Sequence, residues 1–203
     1  MSDHNPAHDA ETLAFYDREA TKYAARPKPA YNRQLEAFMA NLARGAKVLE
    51  LGCGDGGDAE AMIGAGFDVT PTDGSTELAR VAEARLGRPV RIMRFEELDE
   101  EAAYDGVWAN ACLLHVPEDR LGDVLAKVHA ALRHGGRFYA SYKMGDGGGR
   151  DTLGRYYNFP SREKLTATYA QAGNWVSLAV EEGLSGGYDG VARTFMLVTA
   201  IKA

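Results

Sequence analysis

The sequence predicts a single α/β domain built on a mostly parallel, doubly wound sheet, and three observations support this prediction. Short apolar segments alternate with amphipathic helical segments between residues 46 and 143, which is typical of parallel strands joined by right-handed crossovers. The glycine-rich turn Gly52-x-Gly54-x-x-Gly57 follows the first strand, as in strand–turn–helix units that bind ligands. The last two apolar segments have only a short connection between them, so we expect them to pair as an antiparallel hairpin.

Seven strands and four helices are predicted in the core, which we place at residues 46–203. The strands are predicted at residues 47–51, 67–73, 89–95, 104–110, 137–143, 175–183 and 192–203. The helices are predicted at residues 58–65, 75–86, 117–132 and 161–172, with Gly135 and Gly136 ending the third. Periodicity of apolar residues separates the two types of element.

Two further helices, at residues 9–25 and about 30–43, form a predicted N-terminal cover over residues 1–45. Prolines in the segment "ARPKP" end the first of them, because proline cannot continue a helix. No linker or low-complexity tract divides the cover from the core. We therefore expect residues 1–203 to form one domain.

Composition limits the classes of partner. The net charge of −6 disfavours a broad surface for nucleic acid, and no apolar run approaches the roughly 20 residues that span a bilayer. The N-terminal segment lacks the layout of a signal peptide. Cys53 and Cys112 are too few for a disulfide framework or a structural zinc site. We expect a cytoplasmic protein, monomeric or homodimeric, that binds no metal, nucleic acid or membrane.

The glycine turn matches the dinucleotide fingerprint but is acidic. Glu50 ends the first strand, and Asp55 and Asp58 follow within the turn. A carboxylate about 6 Å from a phosphate opposes each negative charge by roughly 3 kcal/mol at an effective dielectric constant near 20. A ligand with an ammonium and a sulfonium is favoured there, and Gly52 and Gly54 let the backbone approach it closely. The turn therefore favours S-adenosylmethionine over a nicotinamide dinucleotide.

The segments "VLELGCGDGG", "FDVTPTDGS", "YDGVWANACLLHVP" and "LRHGGRFYASYK" resemble those of class I S-adenosylmethionine-dependent methyltransferases, from about residue 46 to the end. This resemblance implies a Rossmann-like sheet of seven strands that ends in an antiparallel hairpin, with covering helices before it. It also implies methyl transfer from S-adenosylmethionine to a small-molecule acceptor by in-line displacement. The "LLHV" and "SYK" to "GRYYNF" segments resemble bacterial tellurite and thiol methyltransferases.

The resemblance assigns cofactor contacts residue by residue. The positions are Tyr23, Glu50, Gly52, Cys53, Gly54, Asp73, Gly74, Ser75, Phe95, Glu96 and Asn110. Asp73 is expected to accept hydrogen bonds from both ribose hydroxyls, because two O–H donors require a carboxylate. Pro71 departs from the family pattern inside the second strand, and its missing N–H places it at an edge, a bulge or the strand end.

Candidates for the acceptor site are less specific. His115 follows the fourth strand and is either a general base or a structural histidine. The loop at residues 144–160 has five glycines within residues 145–154, which predict mobility, and it is well placed to close over an acceptor. Acceptor contacts are assigned to Tyr16, Lys143, Arg155 and Tyr156, because guanidinium and phenol groups suit an anionic or planar acceptor.

Two other functions stay open on the sequence alone. One is a dinucleotide-dependent oxidoreductase, which Glu50 and the terminal hairpin disfavour. The other is a non-catalytic protein that binds S-adenosylmethionine. Methyl transfer needs no compulsory catalytic residue, because positioning of the reactants alone can supply about 7–11 kcal/mol.

Overall fold

The computed structural model describes residues 6–27, 32–186, 188 and 191–203. The strands are β1 (Lys47–Leu51), β2 (Asp68–Asp73), β3 (Arg91–Ile92), β4 (Tyr104–Ala109), β5 (Leu132–Lys143), β6 (Gly149–Arg150), β7 (Tyr156–Tyr157), β8 (Trp175–Gly186) and β9 (Ala192–Lys202). The helices are α1 (Ala10–Ala24), α2 (Arg33–Ala40), α3 (Gly57–Gly64), α4 (Thr76–Leu86), α5 (Leu121–Ala131) and α6 (Arg162–Ala172). Residues 30–31 of the predicted second helix and residues 1–5 of the predicted cover lie outside the described residues. None of the described helices has the length and apolarity needed to cross a bilayer.

The central sheet confirms the predicted fold class. Its seven strands lie in the order β3-β2-β1-β4-β5-β9-β8. Pairings from β3 to β5 are parallel, whereas β9 runs antiparallel to both β5 and β8. The chain runs outwards from β1 in both directions, so the carboxyl ends of β1 and β4 adjoin at the switch point where open α/β sheets bind ligands.

Side-chain caps fix where the two covering helices begin. Asp9 accepts a hydrogen bond from the Thr12 N–H at 2.8 Å, and Asn32 accepts one from the Leu35 N–H at 3.2 Å. Such caps satisfy N–H groups that have no partner within the helix. The α1 helix packs on α4 and buries Phe15, which brings its N-terminal half over the carboxyl edge of the sheet.

The core lies on both faces of the sheet. The α5 and α6 side contains the larger cluster, and α2 and α3 cover a smaller one. In the smaller cluster, Trp108 stacks on Tyr139 with 4.2 Å between ring centroids and contacts Phe38 at 5.1 Å. A Cβ atom at Gly106 would lie 2.8 Å from the Phe38 ring, so glycine at this position lets α2 approach the sheet.

The predicted start and end of the helix α5 were both wrong. The α5 helix covers Leu121–Ala131 rather than 117–132, because Leu132 already pairs with Tyr104 as the first residue of β5. The register of the β4–β5 pairing shifts between Tyr104 and Gly106, which marks an irregular stretch at the start of β5. Gly135 lies in this stretch instead of ending the helix, and its φ of +74° favours glycine.

Strand β3 is also shorter than the predicted residues 89–95. Only Arg91 and Ile92 pair with β2, at Thr72 and Asp73. Pro71 therefore lies in a part of β2 that β3 does not reach, although it pairs with β1 on the other side. This position fits a residue that cannot donate to a neighbouring strand.

The loop after β5 contains a short hairpin, in which strands β6 and β7 pair antiparallel. A Cβ atom at Gly148 would clash with the Tyr156 hydroxyl, and one at Gly145 would lie 2.7 Å from Phe159. These two glycines therefore permit close packing within the loop. The mobility of the loop stays a prediction.

Candidate functional site

A cavity with two connected chambers lies at the carboxyl edge of β1, β2 and β4. The narrow chamber, about 90 Å³, is lined by residues of α1, the β2 end and residues 93–95. The wide chamber, about 390 Å³, extends past β5 towards the β8–β9 hairpin. Both chambers share wall residues at the glycine turn, at Asn110 and His115, and on α1. The cavity therefore crosses the switch point of the sheet.

The glycine turn forms the floor between the chambers. Gly52 and Gly54 have φ values of +64° and +60°, a region that favours glycine. A Cβ atom at Gly52 would lie 2.5 Å from the Cβ of Cys112, and one at Gly54 would lie 3.4 Å from the Tyr23 ring. The turn therefore needs glycine both for its backbone conformation and for close approach. Cys53, for which a cofactor contact is predicted, lies in the wall of the wide chamber.

Asp73 links the end of β2, beside the narrow chamber, to the glycine turn. Its Oδ2 accepts a hydrogen bond from the Gly54 N–H, and its Oδ1 accepts one from the Ser75 N–H, both at 2.8 Å. Burial raises the pKa of Asp73 to about 6, although these two hydrogen bonds act in the opposite direction. Each carboxylate oxygen has a further lone pair, so Asp73 has the capacity to accept two more donors from a ligand.

The rest of the narrow chamber is mostly apolar. Leu13, Gly74, Leu78, Met93 and Phe95 line it. This slot suits a flat aromatic group beside Asp73.

Two residues predicted to flank the same ligand do not line the chamber. Ser75 caps α4, because its Oγ accepts from the Leu78 N–H at 3.1 Å and donates to Asp17 at 2.6 Å. Glu96 bonds to His8, with 2.5 Å between Oε1 and Nδ1, and only His8 reaches the chamber wall. Both side chains therefore support the wall from behind.

The acidic residues of the turn separate into two groups. Glu50 is 3% exposed and lines the wide chamber, as does Asp58. Asp58 accepts hydrogen bonds from the Trp108 indole at 2.9 Å and the Asn110 amide at 3.3 Å. Asp55 does not line either chamber, and its carboxylate pairs with Arg85 at 3.2 Å.

The far side of the wide chamber is cationic and aromatic. The Lys143 ammonium lies 3.6 Å from the centroid of the Tyr157 ring, and the Arg155 guanidinium lies 5.4 Å from it. Lys143 and Arg155 are 3% and 1% exposed. Arg155 also pairs with Asp151 at 2.6 Å and donates to the Tyr16 hydroxyl at 3.1 Å. All these residues except Asp151 line the chamber.

His115 is fixed by hydrogen bonds at both ring nitrogens, and its role as a general base stays a prediction. Its Nδ1 lies 2.5 Å from the Tyr156 carbonyl oxygen, which can only accept, so Nδ1 carries the hydrogen. Its Nε2 then accepts the hydrogen bond from the Tyr16 hydroxyl at 3.0 Å. Burial, together with the nearby Arg155 and Lys143 charges, lowers the pKa of His115 to about 3. The ring is therefore neutral near pH 7, and both of its nitrogens are used.

Tyr156 does not line either chamber, in contrast to its predicted acceptor contact. Its hydroxyl lies over Gly148, whereas the next residue, Tyr157, faces the cavity. Successive side chains of a strand point to opposite faces, so only one of the two tyrosines can face inwards. The pair "YY" in the sequence does not show which one.

Arg26 and Tyr188 are among the wall residues that were not assigned to the site from the sequence. The Tyr188 ring stacks on Tyr23 with 5.7 Å between centroids, and the Arg26 guanidinium lies 4.0 Å above the Tyr23 ring. Tyr188 thus contacts α1 beside the cavity. No local pattern shows this contact, because Tyr188 lies far from α1 along the chain.

Comparison with known proteins gives consistent matches. Residues 48–136 match the family model of a methyltransferase domain. A ubiquinone biosynthesis O-methyltransferase of Xanthomonas campestris pv. campestris is 31% identical over 161 residues, which cover 68% of this chain and 65% of the relative. The chain thus spans just under two thirds of the length of this curated relative.

Solved structures match the whole fold. The 1,6-didemethyltoxoflavin-N1-methyltransferase of Burkholderia thailandensis, solved with 1,6-didemethyltoxoflavin and S-adenosylhomocysteine, has a TM-score of 0.72 and 27% identity, covering 100% of this chain and 93% of that one. A DhpI–SAH complex has a TM-score of 0.70 and 27% identity, covering 94% of each chain. The glycine turn, the acidic wall and these matches favour a methyltransferase over the oxidoreductase alternative. The chain belongs to the class I S-adenosylmethionine-dependent methyltransferases, the family that its sequence motifs resemble.

Proposed function

We propose that this protein transfers the methyl group of S-adenosylmethionine to a small-molecule acceptor in the wide chamber. The observation that carries this proposal is the two-chamber cavity at the switch point, with an acidic wall on one side and a cationic wall on the other. The wide chamber has a volume of about 390 Å³, which is within the range of small-molecule sites. The helix α1 and the β6–β7 hairpin cover this chamber.

The residues of the narrow chamber fit the nucleoside of the cofactor. Asp73 has lone pairs for the two ribose hydroxyls, and Gly74 and Phe95 flank the slot that suits adenine. Glu50 and Asp58 favour the positive charges of the methionine portion. When bound, the cofactor supplies an electrophilic methyl group on a sulfonium.

Arg26 and Tyr23 complete the proposed cofactor site. Tyr23 lies beside Gly54, and the Arg26 guanidinium lies over its ring. A guanidinium near the glycine turn suits the carboxylate of the methionine portion. The α1 helix would therefore hold the cofactor as well as cover it.

The chain promotes the reaction by positioning and by exclusion of water. Aligned reactants can gain about 7–11 kcal/mol, and the enclosed walls keep water from competing for the methyl group. Ligands of similar proteins support a small acceptor: the Burkholderia thailandensis enzyme was solved with 1,6-didemethyltoxoflavin, and the Xanthomonas relative is named for ubiquinone biosynthesis.

Two measurements test the proposal. Calorimetry with S-adenosylhomocysteine should show binding, and Glu50→Gln should weaken it about tenfold, because one unit of binding charge is lost at nearly constant shape. Glu60→Gln is the matched control, since Glu60 is exposed on α3 outside the cavity wall. An unchanged affinity in Glu50→Gln would contradict the electrostatic argument.

The second measurement uses methyl-labelled S-adenosylmethionine with a panel of phenols, N–H heterocycles, carboxylates and thiols. Transfer of label to at least one acceptor is expected. If S-adenosylhomocysteine binds but no acceptor gains label, the non-catalytic alternative gains support.

A further inference from the structure

We propose that the wide chamber selects an acceptor that binds as an anion, with Lys143 as the residue that sets this specificity. The inference rests on the proposed function and deepens it by naming the chemical class of the acceptor. Suitable acceptors are phenolates, acidic N–H heterocycles and other small anionic nucleophiles. Three properties of the chamber carry the inference: how its charges are distributed, what surrounds Lys143, and which proton acceptors it offers.

The cavity charges are separated along the sheet. Glu50 is the penultimate residue of β1 and Asp58 lies in the first turn of α3, whereas Lys143 ends β5. Strand β4 lies between β1 and β5, so the two strand ends are about 10 Å apart at ordinary strand spacing. A cationic donor beside the acids therefore faces a cationic wall across the chamber, and an anionic acceptor between them is attracted by both.

The cationic wall is built around the Tyr157 ring. The Lys143 ammonium lies over this ring at 3.6 Å and the Arg155 guanidinium contacts it at 5.4 Å. Asp151 and Tyr16 fix the Arg155 side chain. Both cations are almost completely buried, where a charge acts more strongly than at the surface. The wall thus presents two buried cationic side chains beside one aromatic ring.

Among the described residues on this side of the chamber, His115 and Tyr16 are poorly suited to take the acceptor proton. The two nitrogens of His115 already bond to Tyr156 and Tyr16. Burial raises the pKa of Tyr16 well above its usual range, so this phenol stays protonated. Acidic acceptors, which lose their proton to solvent, therefore fit this side of the chamber best.

Bonds and charges balance when the methyl group is transferred to such an anionic acceptor. A lone pair of the anion forms the new bond to the methyl carbon while the carbon–sulfur bond breaks and its electron pair remains on sulfur. The sulfonium becomes a neutral thioether, and the anion becomes a neutral methylated product. The neutral product is no longer attracted to the Lys143 ammonium, so its release is favoured.

The experiment uses 4-nitrophenol as the probe, because its phenolate and phenol differ in absorbance. The protein is first saturated with S-adenosylhomocysteine, and bound 4-nitrophenol is titrated with pH. We expect its pKa to fall by about one unit, since the phenolate should bind about tenfold more tightly than the phenol. The neutral isostere 4-nitroanisole should bind at least about tenfold more weakly than the phenolate.

Variants assign the effect to Lys143. Lys143→Met and Lys143→Gln should abolish most of the pKa shift, and Lys143→Arg should retain it. Lys164→Met is the control, because Lys164 is an exposed lysine of α6 outside the cavity wall. Unchanged affinity for S-adenosylhomocysteine shows that each variant is folded.

Three results would overturn the inference: equal affinity for 4-nitroanisole and the phenolate, a shift that survives in both Lys143→Met and Lys143→Gln, or no binding of the phenolate at millimolar concentration. A failure of the proposed function is distinguishable, because native protein would then not bind S-adenosylhomocysteine or would methylate no acceptor. If S-adenosylhomocysteine binds and an acceptor is methylated, but the preference for the phenolate is absent, the inference fails and the proposed function stands.

Discussion

At the residue scale, Asp73 combines opposing electrostatic effects. Burial raises its pKa from 3.8 to about 6 against the hydrogen bonds from Ser75 and Gly54. A pKa that is higher in the folded than in the unfolded chain gives stability that is present below about pH 4 and is lost as the pH rises through about 6. Asp73 thus makes the unliganded fold less stable at neutral pH, and donors from a ligand would offset this cost.

We therefore predict that affinity for S-adenosylhomocysteine depends on the charge of Asp73. Below about pH 6 the affinity should fall by up to about tenfold per pH unit, because the neutral acid accepts fewer hydrogen bonds. Calorimetry over a pH series measures this dependence. Asp73→Asn should bind weakly at every pH, whereas His8→Gln, which alters the same chamber wall, should keep the dependence. A flat profile in the native protein would rule the assignment out.

A second prediction concerns His115. Because burial lowers its pKa to about 3, the ring should show no titration between about pH 5 and 8. Nitrogen NMR of labelled histidine should also show the hydrogen on Nδ1. A titration midpoint near that of a free histidine would contradict this prediction.

At the scale of elements, α1 and the β6–β7 hairpin close the cavity together. Arg150 donates to both carboxylate oxygens of Asp9, at 3.0 and 2.8 Å. The Tyr156 N–H donates to the Thr12 hydroxyl at 2.9 Å. Hydrogen bonds from Arg150 and Thr12 outweigh the effect of burial and lower the pKa of Asp9 to about 2, so this ion pair persists across the physiological pH range.

Asp9→Asn tests this link, because asparagine caps a helix as well as aspartate does but cannot form the ion pair with Arg150. We expect only a small loss of stability, because the pair is exposed to solvent, with faster hydrogen exchange in α1 and faster release of S-adenosylhomocysteine. Glu11→Gln is the control, since Glu11 is exposed and contacts Arg150 only at 3.2 Å. Equal exchange rates in both variants would mean that the link does not hold α1 in place.

At the scale of the whole molecule, the strand order produces the distribution of charge. Strands β1 and β5 are far apart in the chain but are separated by one strand in the sheet. Acidic residues thus gather at one end of the cavity and Lys143 at the other. A ligand that bridges α1, the glycine turn and β2 should stabilise the fold as a unit.

Thermal unfolding tests that expectation. At a concentration about 100 times its dissociation constant, S-adenosylhomocysteine should add about 2.7 kcal/mol to the free energy of unfolding. For a domain of this size the corresponding rise in Tm is about 5–10 °C. NAD at the same concentration should give no rise, because its diphosphate would meet Glu50 and Asp58. A comparable rise with NAD would contradict the anionic character of the turn.

The sequence by itself determined the alternation of strands and helices, the terminal hairpin, the glycine turn and the place of Asp73. These features are local: periodicity, caps and the conformational needs of glycine act over a few residues. Because the motifs of the family lie in such local segments, the amino-acid sequence alone is enough to recognise the family and its cofactor.

Only the tertiary structure decided which side chains face the cavity. Tyr157 rather than Tyr156 lines it, Asp58 rather than Asp55 lines it, and both ring nitrogens of His115 are hydrogen-bonded within it. Each outcome depends on contacts between segments that lie far apart in the chain, such as α1, β5 and the hairpin. Side-chain orientation and burial follow from that packing, and no local pattern encodes them.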